Sequence, residues 1–132
     1  LCVMRGGQLL LARSRGDKHF QILGRKIEPG ENDIDALTRE VEEELAVALV
    51  PDSAVHLATF EAQAASRRDV LVEIRLYNCA VDNIPKASSE IAELVWQFPA
   101  EPTVPCSEVV RLHILAFLAR RLSEQGHIPC QP

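Results

Sequence analysis

The sequence predicts an α/β sandwich, and three observations predict it. Short apolar runs of strand type recur through the chain, one amphipathic helical stretch interrupts them near residues 33–45, and a second closes the chain after Pro105. With 132 residues the chain has enough length for one domain around one core and too little for two ordinary ones, so residues 1–132 are read as a single domain.

The elements follow in order. "LCVMRGGQLLLARS" is two apolar runs folded on Gly6-Gly7, a hairpin signal. The charged loop "RGDKH" leads to "FQIL", a further short strand, and "GRKIEPGEN" is a loop punctuated by Gly24, Pro29 and Gly30. Asn32 or Asp33 can cap a helix running from about Asp33 to Leu45. Beyond Pro51, "VHLATFEAQAA" and "DVLVEIRLYNCAV" form a second hairpin with Arg67-Arg68 at a solvated tip. "ELVWQF" is the last strand, with Trp96 as a core anchor. Ser107 then caps a helix that ends near Gly126. Its apolar positions, Val110, Leu112, Ile114, Leu115, Phe117, Leu118 and Leu122, span more than one narrow stripe, which predicts covering on more than one side.

Composition excludes several classes. A net charge of −5 argues against a nucleic-acid polymer as partner, since that would call for a basic face. The longest apolar stretch, "VVRLHILAFLARRL", is broken by Arg111, His113, Arg120 and Arg121, and falls short of the roughly 20 residues that cross a bilayer. No secretory leader is visible, and the four dispersed cysteines, Cys2, Cys79, Cys106 and Cys130, read as free thiols in a reducing cytoplasm. The histidines at 19, 56, 113 and 127 are equally scattered and take no assigned role. The chain opens on Leu1 inside an apolar run, so residues before it are expected to be missing from this numbering.

The informative stretch is "REVEEEL". At about 100° per residue, Ile34, Leu37, Val41 and Leu45 form a buried stripe about 80° wide. Glu40, Glu43 and Glu44 fall on an adjoining arc of about 100°, with Glu44 at the edge of the apolar face and Glu42 turned to solvent. Like charges at these spacings each cost a helix a few tenths of a kcal/mol. Either the face is simply solvated, or the carboxylates hold a hard divalent cation of the Mg²⁺ type. Arg39, one turn before Glu43, can orient that residue.

Together with the loop before it, this segment resembles a known pattern. "GRKIEPGENDIDALTREVEEELAV" is similar to the Nudix hydrolase (MutT-like) signature, G-x5-E-x7-R-E-U-x-E-E-x-G-U, where U is aliphatic. Glu31, Arg39, Glu40, Val41, Glu43, Glu44 and Val47 occupy their motif positions. Three positions depart: the first motif glycine is Arg25, the second is Ala46, and Leu23 replaces a usual proline. The resemblance extends over nearly the whole chain and implies an α+β fold, an α-β-α sandwich with a mixed sheet between helices.

It also implies a chemistry: Mg²⁺-dependent cleavage of the diphosphate bond in a nucleoside diphosphate linked to another moiety. That moiety would make the substrate a nucleoside triphosphate, an oxidised one, a sugar nucleotide or a dinucleotide. By resemblance, Glu40, Glu43 and Glu44 would ligate Mg²⁺, or Mn²⁺ in its place, with the Gly24 carbonyl and with Glu31 supporting. Arg39 would orient a glutamate, and the general base would be a motif glutamate or a later one, for which Glu90 in "SSEIAE" is the choice. Phosphates would meet Arg13, Lys18, Arg25 or Lys26. Arg25 leaves a second reading open, a catalytically impaired nucleotide-binding or sensor module. The family and the wide C-terminal helix also permit a homodimer.

Overall fold

The computed structural model describes residues 1–23, 27–64 and 67–125, and within these all side chains except those at positions 63, 64, 67, 68, 70 and 125. Five strands and two helices succeed one another: β1 (Cys2–Arg5), β2 (Gln8–Ser14), α1 (Asp33–Leu45), β3 (Val55–Ala64), β4 (Arg67–Cys79), β5 (Ile91–Gln97) and α2 (Leu115–Gln125). A π-helical segment, Val110–Ile114, leads directly into α2. The strands form one sheet in the order β3-β4-β1-β2-β5. It is mixed, because β1 runs parallel to β4 while β1–β2, β2–β5 and β3–β4 are antiparallel.

Strand alternation sorts the core into two layers. Leu1, Val3, Leu10 and Ala12 project to one face and pack with Leu37, Val41 and Leu45 of α1. Cys2, Leu9 and Leu11 project to the other and pack with Val110, Ile114, Leu115 and Leu118. Leu9, Leu10 and Leu11 are at most 1 % exposed, so β2 is the buried spine of an α-β-α sandwich. Burial also pushes the Cys2 thiol up to about 11, which keeps it protonated. Among the described residues Cys2, Cys79 and Cys106 are free thiols, and no helix is long and apolar enough to cross a membrane.

Three expectations change. "FQIL" makes only isolated bridges, Gln21 to Ala12 and Phe20 to Cys106. Arg67 and Arg68, expected near the tip of the second hairpin, begin β4, and Arg67 pairs with Ala64. Ile34 is 44 % exposed: Tyr77 and Arg75 hold Asp33 instead, through the Tyr77 hydroxyl at 2.6 Å and an Arg75 ion pair at 3.2 Å, so the first turn of α1 presents Asp33 to β4. Leu112 is half exposed, and the C-terminal helix is covered on one face through Val110, Ile114, Leu115 and Leu118. Trp96 is partly buried, with the Arg5 guanidinium 4.4 Å above its ring.

Candidate active site

The loop before α1 is shaped by "EPGE". The Glu31 amide donates to the Glu28 carbonyl at 3.1 Å and Gly30 has φ +84°, the pattern of a type II turn with proline first and glycine second. The turn folds the Glu31 carboxylate back onto the Glu28 amide at 2.9 Å. Asn32 follows as N-cap in a reciprocal capping box, accepting from the Asp35 amide at 2.8 Å while the Asp35 carboxylate accepts from the Asn32 amide at 3.4 Å.

Arg39 is the hub of the site. Its Nε and Nη2 grip both oxygens of Glu31 at 2.8 and 3.0 Å, and its Nη1 donates to Glu40 Oε1 at 2.9 Å. Glu43 lies farther, at 3.5 Å, and Glu28 at 3.8 Å. The guanidinium therefore braces Glu31 and Glu40 more firmly than Glu43, the partner its helical spacing indicated. The Arg39 bond, and then the Glu28 amide, hold the Glu31 carboxyl below its ordinary 4.5. Hydrogen bonds to Glu31, and then to Glu40, push Arg39 above the ordinary arginine value.

The three helix carboxylates occupy different environments. Glu40 is 2 % exposed and Glu44 5 %, whereas the Glu43 side chain is 54 % exposed. Glu40 Oε1 is held by Arg39, but among the described residues its buried Oε2 has no hydrogen-bond partner. A buried carboxylate oxygen left in this way costs on the order of 1–3 kcal/mol or more, which a cation would offset. The donors are all oxygen, as a hard divalent cation requires. Among the described residues no three His, Cys, Asp or Glu side chains already converge on one metal position. Arg39 takes both oxygens of Glu31 and one of Glu40, which accounts for part of this.

The end of α1 is fixed from outside. The amides of Lys86 and Ser88 donate to the carbonyls of Leu45 and Glu44 at 2.9 and 3.0 Å, so the β4–β5 connection caps the helix that carries the glutamates. Ala46 then turns the chain with φ 55° and ψ 34°, the left-handed conformation. This connection also carries Glu90, whose carbonyl accepts from the Arg15 amide at 2.9 Å.

Of the residues the sequence singled out, the structure thus brings together Glu31, Arg39, Glu40 and Glu43, with Glu44 on the same helix and Glu90 on the loop tied to its end. Arg13 lies on β2. It follows Leu9 and Leu11 on the α2 face of β2 and is bound to Glu93 at 3.2 Å and to the Asp17 carbonyl at 3.1 Å. Lys18 is exposed on the loop after β2. Gly24, Arg25 and Lys26 lie outside the described residues. Sequence reasoning gave no part to Glu28, although its place in the same acidic loop was a readable signal, nor to the amides of Lys86 and Ser88, which leave no side-chain signal at all.

Comparison with known proteins gives three results. The sequence profile described as the NUDIX domain matches residues 1–116, and no curated protein sequence matches the chain. Among solved structures, a UDP-X diphosphatase superposes with a TM-score of 0.76 at 18 % identity, over 96 % of this chain and 61 % of its own. This chain thus spans about three-fifths of that one. The MutT NUDIX hydrolase from Burkholderia pseudomallei gives 0.72 at 21 %, over 89 % of this chain and 90 % of its own. The E. coli ORF135 protein gives 0.66 at 26 %, over 96 % and 90 %.

Proposed function

We propose that this chain, which belongs to the NUDIX family of hydrolases, cleaves the diphosphate bond of a small nucleoside-diphosphate-linked substrate with a divalent cation bound at α1. The observation that carries this reading is Glu40, a nearly buried carboxylate with one oxygen braced by Arg39 and the other lacking a hydrogen-bond partner among the described residues. Glu40, Glu43 and Glu44 would hold the cation, Mg²⁺ with Mn²⁺ as substitute. When bound, it would neutralise pyrophosphate charge and lower the pKa of a nearby water.

The remaining work falls to the chain's own groups. Arg39 and Glu31 fix Glu40 before substrate arrives, so little reorganisation accompanies the reaction. Glu90 serves as general base. A water oxygen attacks one phosphorus as its proton passes to the Glu90 carboxylate, and the bridging P–O bond breaks with its electron pair leaving on the other phosphate. Each half departs as a phosphate, and the Glu90 proton returns to solvent. The substrate is drawn from sugar nucleotides, nucleoside triphosphates including oxidised ones, or dinucleotides, the range that the NUDIX resemblance implies.

The experiment is product analysis with Mg²⁺ over dGTP, 8-oxo-dGTP, UDP-glucose, ADP-ribose and Ap4A, with Glu90→Gln alongside. The reading expects two phosphate-bearing products from at least one of them, and a kcat about 100-fold or more lower in the variant. Intact substrates throughout would overturn it, and a wild-type rate in Glu90→Gln would move the base to a motif glutamate.

A further inference from the structure

The turn that presents Glu90 is built in an unusual way. The Ile91 amide donates to the Ser88 carbonyl at 3.1 Å, which closes a four-residue turn with Ser89 and Glu90 at its centre. Ser89, the first central residue, has φ 57°. Positive φ at that position is the mark of the primed turns, which glycine, asparagine and aspartate dominate; serine is a costly occupant.

Both sides of the turn are anchored. The Ser88 amide is bound to the Glu44 carbonyl at 3.0 Å, and the Glu90 carbonyl to the Arg15 amide at 2.9 Å. Ile91, 4 % exposed, belongs to the core layer on the α1 side. With these points fixed, the sense of the turn is set by the one backbone angle at Ser89, and so is the direction in which Glu90 leaves the chain. Backbone strain of this kind persists only where the surroundings over-determine it, and it concentrates where a side chain must be aimed.

We propose that Ser89 is a positioning residue: its left-handed backbone, clamped between the end of α1 and the loop after β2, aims the Glu90 carboxylate. The proposal rests on the reading of Glu90 as general base. It also joins the base to the carboxylates, since the loop that aims one caps the helix that bears the others.

The test compares Ser89→Val, Ser89→Gly, Ser89→Asn, Glu90→Gln and the double variant Ser89→Val/Glu90→Gln, using the same five substrates with Mg²⁺. Valine resists the left-handed region, whereas glycine and asparagine accept it. Ser89→Val is expected to lower kcat about 10- to 100-fold with KM within about twofold, because a small misplacement of a catalytic group carries that penalty. Glycine and asparagine should restore the rate, and valine should add nothing further in the Glu90→Gln background.

The ¹³C carboxyl resonance that disappears in Glu90→Gln supplies a readout without turnover. It should move in Ser89→Val and stay in place in Ser89→Gly. A wild-type kcat in Ser89→Val, an unmoved Glu90 resonance, or a full further loss in the double variant would overturn the proposal. If no native hydrolysis occurs, the hydrolase reading fails separately and the resonance alone decides the role of Ser89.

Discussion

Replacing Ala46 with glycine should stabilise this protein. Ala46 ends α1 at φ 55° and ψ 34° and is exposed, so its methyl group has no packing to lose. A residue with a Cβ gives up about 1–2 kcal/mol in that conformation. Glycine avoids this cost but gains freedom in the unfolded chain, which takes back about 0.5–1 kcal/mol. The net is about 0.75 kcal/mol, or roughly 3 °C in Tm for a domain of this size. Thermal melts of wild type, Ala46→Gly and Ala46→Val at one pH and salt concentration check it. The order expected is glycine above alanine above valine. A glycine variant that melts at or below the wild-type temperature would show that Ala46 carries no left-handed strain, and α1 would have to end in some other backbone conformation.

Three other outcomes follow from the site. Mg²⁺ at about ten times its Kd should raise Tm by about 5 °C, corresponding to about 1.4 kcal/mol, and Glu40→Gln should abolish most of that rise in a thermal-shift titration. Arg39→Lys should lower kcat/KM about tenfold or more, because an ammonium cannot hold both Glu31 oxygens and Glu40 Oε1 in one fork; steady-state kinetics reads this directly. Glu31 titrates below its ordinary 4.5 in the folded state, so the unfolded chain binds the proton more readily. Its contribution is full above 4.5 and is lost as pH falls through the depressed folded value, so the wild-type urea midpoint should decline more steeply than that of Glu31→Gln below that pH.

Much of the fold was legible because it rests on local signals. The Gly6-Gly7 hairpin, the bounds of α1 and the β3–β4 and β5 runs follow from periodicity and turn residues, and the helix glutamates could be placed on one arc from 3.6-residue geometry alone. The failures came where tertiary partners decide. Ile34 fits the apolar stripe of α1 and loses its burial to the bonds that Tyr77 and Arg75 make with Asp33. Arg39 and Glu31 are eight residues apart, a contact that helical spacing does not predict and that the Pro29-Gly30 turn creates. Ser89 gave no signal, since its role lies in a backbone angle.

On the proposed reading, the carboxylates of α1 make this chain a divalent-cation-dependent hydrolase. Its most direct test is the rate of diphosphate cleavage against Mg²⁺ concentration for wild type and Glu40→Gln, on the best substrate of the five. Turnover should rise from near zero with Mg²⁺ and saturate in the wild type, while the variant stays about 100-fold or more below it at every concentration. Cleavage that persists in chelator, or a variant with the wild-type metal curve, would rule out a cation-dependent reaction at Glu40.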